Sequence, residues 1–220
     1  MKILVFDTET TGLAERNVSV YECNKWPYII QLSYIFYDIS NNITVIKDNY
    51  INIRNDIEIT SGSFEKHGIT RELLDSQGIN IRQALQDFNR LLNASDIVIG
   101  HNISFDKRMI LVECLRNKQD YGFTVFNGNN KIQKPEYCTM KNTVDFCDLY
   151  YINNRGIKVK KNPRLSELYN KLFPDDILPD NLHNSIIDVA VTIRCYMKHC
   201  HNIDICTINN QISNLLIVKQ

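Results

Sequence analysis

The sequence has no long apolar run, and this absence excludes two classes of protein. The longest uninterrupted apolar stretches span a few residues, such as Ile3 to Phe6. A membrane-spanning helix needs about 20 predominantly apolar residues, and the apolar core of a signal peptide needs at least about 7. We therefore expect a soluble protein without a membrane partner, located inside the cell.

Neither sign of charge is in excess. Lys plus Arg total 25 and Asp plus Glu also total 25, so the formal net charge is zero. A chain without net positive charge has no global field that would hold a nucleic-acid duplex nonspecifically. A polyanionic partner would therefore be held by local contacts or through metal ions.

The sequence also lacks three kinds of motif: a disulfide framework, a phosphate-binding glycine loop and a zinc-binding motif. The seven cysteines are odd in number and no secretory segment precedes them, so we expect free thiols in a reducing compartment such as the cytoplasm. The segment Thr8 to Leu13 is not a Gly-rich dinucleotide turn, and no P-loop occurs elsewhere, which excludes a Rossmann-type nucleotide-binding protein. The Cys/His-rich segment Cys195–Cys206 matches no common zinc spacing, which favours helix packing and surface thiols.

What the sequence does contain is a run of strands followed by strand–helix alternation. Five strands are predicted, and Ser40–Asn42 joins the second and third as an antiparallel hairpin: Lys2–Asp7, Tyr28–Ile39, Ile43–Ile53, Asp96–Gly100 and Tyr137–Met140. Helical spacing and caps predict five helices: a short one capped by Thr70, then one over 81–92, and then Ser104–Asn117, Leu165–Phe173 and Ser185–His199. A polar loop is expected around Asn127–Asn130.

This pattern predicts a single α/β domain over residues 1–200, in which helices flank a mixed β-sheet. A short C-terminal tail, residues 201–220, would follow it. No internal repeat or low-complexity segment suggests a second domain.

The first strand ends in two carboxylates. In extended chain, residues two apart project from the same face, so Asp7 and Glu9 should lie side by side. Two like charges that close require a cation nearby. Thr10, Thr11 and Gly12 follow as a turn whose backbone N–H groups could meet a ligand. Taken alone, the segment is equally compatible with a strand end that carries two solvated acids.

A third carboxylate, Asp106, follows the predicted strand 96–100 at the entry to a helix. An acid in the first turn of a helix also complements the helix dipole, and this structural interpretation is the stronger one for Asp106 in isolation.

His183 and Asp188 lie around the start of the last long helix. These two would lie roughly 140° apart if both were helical, so His183 is expected in the preceding loop. Ser185 followed three residues later by Asp188 also resembles a capping box.

Taken together and in this order, these segments resemble the DEDDh family of 3′-to-5′ exonucleases, the DnaQ-like family. The resemblance rests on Asp7-x-Glu9 within Phe-Asp-Thr-Glu-Thr-Thr-Gly-Leu, on His-Asn-x-x-Phe-Asp ending at Asp106, and on His-x-x-x-x-Asp from His183 to Asp188. Secondary matches are His67–Thr70, Cys138–Met140 and Pro163–Leu168. The similarity runs from about Lys2 to about His199, and the Asn-rich loop between Lys118 and Lys134 is longer than usual.

The resemblance implies an RNase H-like fold and two Mg²⁺ or Mn²⁺ ions held by Asp7, Glu9, Asp106 and Asp188. Four carboxylates suit such hard, oxygen-preferring cations. His183 would accept the proton of the attacking water, and the product would be a nucleoside 5′-monophosphate.

Substrate contacts follow from the same resemblance. The backbone at Glu9 and Thr10 would meet the terminal 3′-hydroxyl, Leu13 and Ile69 would pack against the last bases, and Asn102 would also contact the substrate. For Leu13 and Ile69, plain core packing is an equally good interpretation.

The resemblance leaves the substrate open. Single-stranded or frayed DNA 3′ ends are favoured, and an exoribonuclease that trims RNA 3′ ends or short oligonucleotides is the alternative. An inactive fold that binds a polymerase or another partner is a different class, and a homodimer is also compatible with the sequence.

Three further features have local interpretations. The basic run Arg155–Arg164 either contacts phosphates upstream of the scissile bond or is a solvated loop. His101 is expected to be a structural histidine and Trp26 a core or lid residue.

Overall fold

The computed structural model describes residues 1–127, 130–179 and 182–217. The described residues form nine strands: β1 (Lys2–Thr10), β2 (Ile29–Asp38), β3 (Ile43–Tyr50), β4 (Ile97–Gly100), β5 (Thr124–Asn127), β6 (Asn130–Gln133), β7 (Glu136–Cys138), β8 (Tyr150–Ile152) and β9 (Lys158–Lys160).

Nine α-helices accompany these strands within the described ranges: α1 (Ser61–His67), α2 (Arg71–Gln77), α3 (Ile81–Ala94), α4 (Ser104–Asn117), α5 (Thr139–Asn142), α6 (Val144–Cys147), α7 (Leu165–Leu172), α8 (Ser185–His201) and α9 (Asn210–Leu216). Short 3₁₀ turns lie at Cys23–Lys25 and Ile205–Thr207. No helix in the described part of the chain combines the length and the apolar composition that crossing a membrane requires.

The centre of the fold is a mixed sheet of five strands in the order β3-β2-β1-β4-β7. β1, β2 and β3 are antiparallel neighbours, whereas β4 lies parallel to β1 and β7 lies parallel to β4. This arrangement is the RNase H-like mixed sheet flanked by helices that the sequence predicted. The carboxyl ends of the three parallel strands therefore meet at one edge of the sheet, where ligands bind in open α/β sheets.

The side-chain alternation of β1 divides the core into two layers. Leu4 and Phe6 pack in the layer that contains α3 and α4, together with an aromatic group around Phe88. Ile3 and Val5 point to the other face, where they pack against α8. Because successive side chains in a strand alternate between faces, the acids at positions 7 and 9 belong to the α8 face.

Two local predictions need correction. The loop expected around Asn127–Asn130 contains the hairpin β5–β6, although residues 128 and 129 lie outside the described residues. The strand predicted at 137–140 ends at Cys138 and is not the last one, because the hairpin β8–β9 follows it. Both hairpins were missed because their strands are only three or four residues long and show no apolar alternation that would indicate a buried face.

The segment beyond residue 200 packs onto the rest of the chain. α8 ends at His201, and Ile205 and Ile212 are fully buried in the layer beneath it. The Arg194 guanidinium bonds to Asp204 at 2.9 and 2.6 Å and to Asp176 at 2.6 Å. The structure thus places Ile205 and Ile212 in the core of the domain, which the predicted boundary at residue 200 would divide.

Candidate active site

Three of the four predicted carboxylates meet at the carboxyl end of β1. Asp7 and Glu9 project from one face of this strand, and Asp188 comes from the first turn of α8. One carboxylate oxygen from each lies within 4.8 Å of the others. This spacing is short enough for a single cation to contact all three side chains.

Asp106 joins the site from the other face of β1. It lies in the first turn of α4, where only 3% of its surface is exposed. Its Oδ1 accepts hydrogen bonds from the Thr8 amide at 3.1 Å and from the Thr8 hydroxyl at 2.7 Å. Since only one oxygen of Asp106 makes these bonds, the other can serve a ligand.

A buried polar network holds the start of α8 against the sheet. The Ser185 hydroxyl donates to the Asp7 carbonyl at 2.9 Å, and the Ser185 amide donates to Gln31 at 3.3 Å. The cap of α8 is Asn184, whose side chain accepts from the Ile186 amide. The capping box considered for Ser185 and Asp188 is therefore not formed, because Ser185 reaches across to β1 instead.

Gln31 is a positioning residue that the sequence reading missed. It is fully buried on β2 opposite Glu9, and its amide donates to Asp48 at 2.8 Å and to Asn184 at 3.3 Å. The available signal was a pair of polar residues, Gln31 and Ser33, within an otherwise largely apolar strand. A buried polar side chain in such a place requires a partner.

The electrostatics of the site strongly disfavour four negative charges. Burial raises the pKa of Asp7 to about 6 and that of Asp188 to about 8, and the charge of Asp7 contributes to the shift at Asp188. Burial raises the pKa of Glu9 to about 9, with further contributions from the other three carboxylates. The pKa of Asp106 is also raised by its burial and by Asp7. Bound divalent cations would offset this repulsion.

His183 stands in the loop before α8, as the sequence predicted. Its backbone has a φ of 76°, a left-handed conformation that is uncommon outside glycine. Its amide lies 3.3 and 3.4 Å from the two Asp188 carboxylate oxygens. The imidazole is exposed and forms no hydrogen bond with the described residues, so it is accessible to a substrate.

Two adjoining clefts share two of the four carboxylates, Asp7 and Asp188. The first has a volume of about 640 Å³ and is bordered by α1 and the turn after β1. The second has a volume of about 510 Å³ and is bordered by Asn162–Ser166 and Leu182. The residues that line both clefts mark the centre of the site: Asp7, His101, Asn102, His183 and Asp188.

The predicted substrate residues fall into two groups. Thr10, Leu13 and Asn102 line the first cleft, and Leu13 is 77% exposed. Ile69 does not line it: it is 3% exposed and packs in the core layer of α3 and α4. The alternative interpretation of Ile69, plain core packing, is the one that this structure supports.

Helix α1 supplies cleft residues that the sequence reading did not assign. Lys66 and His67 both line the first cleft, and the Lys66 charge lowers the pKa of Glu9 against the larger effects that raise it. The motif His67–Thr70 was the available signal. Its Gly68 ends α1 with a φ of 65° and Thr70 caps α2, so the motif forms a tight helix-to-helix turn.

The remaining sequence predictions concern residues beside the site. His101 is held between the Thr139 hydroxyl at 2.9 Å and the Pro163 carbonyl at 3.2 Å, in agreement with a structural role. Trp26 is buried and bonds through its indole N–H to Ser19. Among the described residues, Cys195–Cys206 forms no group of three ligands, and all seven thiols are unpaired.

Comparison with known proteins agrees with this architecture. Three crystal structures of Escherichia coli Exonuclease I share the fold: a complex with a dT13 oligonucleotide (18% identity, TM-score 0.62), a complex with a dA16 oligonucleotide (17%, 0.63) and a zinc-bound complex with single-stranded DNA (17%, 0.65). The matches cover 90%, 98% and 91% of this chain, in the same order. They cover only 41%, 45% and 41% of the Exonuclease I chains, so this chain spans less than half of their length. No curated protein sequence matches the chain.

The acidic cleft lies at the carboxyl ends of the parallel strands of an RNase H-like sheet, where the resemblance of the sequence to DEDDh exonucleases places the metal-binding carboxylates. The model of the exonuclease family RNase_T matches residues 4–196. The chain therefore belongs to this exonuclease family, of the DEDDh type.

Proposed function

We infer that the protein is a 3′-to-5′ exonuclease that removes nucleoside 5′-monophosphates from single-stranded or frayed DNA with the help of two divalent cations. The observation that carries this proposal is the cluster of Asp7, Glu9 and Asp188, within 4.8 Å of one another and beside the exposed His183.

The chemistry of the donor set fits Mg²⁺ or Mn²⁺. Four carboxylates offer hard oxygen ligands, and their raised pKa values reflect burial and, for Glu9 and Asp188, the charges of neighbouring carboxylates. Asp7, Glu9, Asp106 and Asp188 would hold the cations. When bound, these cations would neutralise the phosphodiester, activate water and stabilise the leaving 3′-oxygen.

The protein groups have separate roles in this proposal. His183 accepts a proton from the attacking water. As the oxygen of that water bonds to phosphorus, the bond between phosphorus and the 3′-oxygen breaks. The backbone at Glu9 and Thr10 receives the terminal 3′-hydroxyl, while Leu13 offers an exposed apolar surface to the last base. Such apolar contact tolerates any base, because every base has a flat face.

DNA is the favoured substrate because Escherichia coli Exonuclease I, which shares the fold, was crystallised with single-stranded DNA in all three structures compared above. The cleft opens to solvent beside the acidic cluster, and the chain has no net positive charge that would favour a duplex. A single-stranded end that enters the cleft needs only local contacts.

A substrate panel tests this proposal. Single-stranded DNA, duplex DNA, RNA and a dinucleotide, each labelled at the 5′ end, are incubated with Mg²⁺ or Mn²⁺, and the products are separated by length. We expect a ladder that shortens by one nucleotide at a time, with release of 5′-monophosphates. Faster hydrolysis of RNA than of DNA would favour the exoribonuclease alternative.

Polarity is tested with blocked ends. A 3′-phosphate should prevent hydrolysis because it adds negative charge where the carboxylates lie, whereas a blocked 5′ end should have little effect. Equal degradation of both blocked strands would contradict the 3′-to-5′ assignment. No hydrolysis of any strand by the parent would support the inactive partner-binding alternative.

A further inference from the structure

The hairpin β8–β9 carries a concentration of exposed basic and aromatic groups that the catalytic cluster does not use. Five cations and no acid lie between Asp148 and Glu167, in a chain whose net charge is zero. Tyr151 and Ile152 on the same hairpin are 50% and 65% exposed. Exposed apolar side chains among cations are typical of surfaces that bind single-stranded nucleic acid.

Ion pairs divide the five cations into two groups. Lys160 lies 2.5 Å from Asp145, and Lys161 lies 2.6 Å from Glu167, so local acids compensate both charges. Arg155, Lys158 and Arg164 form no salt bridge with the described residues. These three side chains are exposed and keep their charge available for an anion.

The hairpin is joined directly to the catalytic clefts. After β9 the chain runs through Asn162, Pro163 and Arg164, which line the second cleft together with Asp188 and His183. The Pro163 carbonyl is held by His101, which lines both clefts. The hairpin is thus only one residue removed along the chain from the lining of the second cleft, and Arg164 belongs to that lining.

The aromatic groups of the hairpin are not equivalent. The Tyr150 ring is covered by Lys158, whose Nζ lies 4.2 Å from the ring centroid, and the Tyr150 hydroxyl bonds to Asp148. Tyr151 pairs with Val159 across the hairpin and forms no hydrogen bond through its side chain within the described residues. Its ring is therefore the one available for stacking on a base.

We propose that the hairpin β8–β9 is a binding arm for the part of a single-stranded nucleic acid that lies upstream of the scissile bond, with Arg155, Lys158 and Arg164 on its phosphates and Tyr151 against a base. This proposal rests on the proposed exonuclease function and adds a preference for longer substrates. Strands that reach the arm bind more tightly than dinucleotides, which occupy only the catalytic clefts.

Two variants and a matched control test the arm. Arg155→Gln combined with Lys158→Gln removes two uncompensated charges, and Tyr151→Ser removes the exposed ring. Lys47→Gln combined with Arg82→Gln removes two exposed charges that line neither cleft and form no salt bridge in the described parts of the chain. Unchanged melting temperatures of all three would show that folding is preserved.

Binding is measured first, by fluorescence anisotropy of labelled 20-nucleotide DNA in EDTA, where hydrolysis is absent. The charge variant should lose about tenfold or more in affinity, and the slope of log K against log salt should fall by about 1.4, or about 0.7 for each lost phosphate contact. Tyr151→Ser should lose about tenfold with little change of slope. The control variant should bind like the parent.

Hydrolysis distinguishes this proposal from the exonuclease function itself. With Mg²⁺, both arm variants should show a lower kcat/KM for the 20-mer and an unchanged value for the dinucleotide. A parent that hydrolyses both substrates, with arm variants that bind and cleave like the parent, would overturn the arm and leave the exonuclease intact. Equal losses in the control variant would also overturn it. A parent that hydrolyses neither substrate would refute the exonuclease function, and the binding data would then decide on the arm alone.

Discussion

The Thr8 hydroxyl donates a 2.7 Å hydrogen bond to the Asp106 carboxylate and thereby joins the first strand to the entry of α4. Both side chains are buried, with 6% and 3% of their surfaces exposed. Thr8 alternates with Asp7 and Glu9 along β1, so this bond anchors the fourth carboxylate from the face opposite to the other three. Thr8 is therefore a positioning residue for the acidic site.

Thr8→Val should remove this bond with almost no change of shape. Because a buried hydrogen bond contributes about 0.5–3 kcal/mol, the variant should lose stability in that range. It should also lose activity, because the Thr8 amide alone would then hold Asp106 in place. Thr8→Ser keeps the hydroxyl and should restore most of the rate. Urea denaturation and kcat measurements check both effects, and a fully active Thr8→Val would show that Asp106 is held without the hydroxyl.

Removal of single carboxylates should abolish activity without unfolding the chain. Asp7→Asn, Glu9→Gln, Asp106→Asn and Asp188→Asn each take one anion from a site of like charges. In EDTA their melting temperatures should match or exceed that of the parent, because the repulsion within the cluster is reduced. Near-parental hydrolysis rates with Mg²⁺ in these variants would contradict the two-cation assignment.

The stability of the metal-free protein should depend on pH. An acid whose pKa is raised by folding binds more protons in the folded state, so its contribution to the free energy of unfolding is greatest below the ordinary carboxyl pKa of about 4 and falls as the pH rises. The fall should continue through the folded pKa values of Asp7, Asp188 and Glu9, about 6, 8 and 9. Thermal denaturation in EDTA across this range measures it.

Two controls support the interpretation of this pH dependence. Glu9→Gln should flatten the upper part of the profile, whereas Asp75→Asn, at an exposed position outside both clefts, should keep the parental slope. Saturating Mg²⁺ should raise the melting temperature most at high pH, where the carboxylates are ionised. A stability that is independent of pH in EDTA would mean that neither burial nor mutual repulsion raises the pKa values of the four acids.

His183→Ala should slow hydrolysis by about 10² to 10⁴, the usual contribution of a general base. Metal binding and substrate affinity should be preserved, because no carboxylate is lost. His201→Ala is a matched control, since His201 lies at the end of α8 and lines neither cleft. Single-turnover rates separate the chemical step from binding, and a parental rate for His183→Ala would make this histidine structural.

Truncation after His201 should destabilise the domain. The segment that would be removed contains Ile205 and Ile212, both fully buried, and each such side chain contributes about 1.5–3 kcal/mol. Asp204, which pairs with Arg194, would be lost as well. We expect a lower midpoint in urea, and an unchanged midpoint would support the boundary predicted at residue 200.

Local sequence patterns predicted the structure correctly where the spacing of residues alone determines which side chains lie together. The alternation of an extended chain placed Asp7 and Glu9 on one face, and the helix predicted for Ser104–Asn117 has these bounds in the structure. The hairpin of β2 and β3 follows from two β-rich runs around a short turn. These features depend on neighbours within a few residues, whose interactions the sequence shows directly.

Only the tertiary structure decided which distant groups would meet. Gln31 supports α8 across 154 residues of chain, and Ile69 lies in the core although its motif suggested a base contact. Likewise, the basic run at 155–164 covers the turn and the second strand of a hairpin and then enters the lining of the second cleft. Such relationships depend on how the helices pack on the two faces of the sheet. Which residues are buried there, and which of them touch, is determined by many weak interactions among distant segments of the chain.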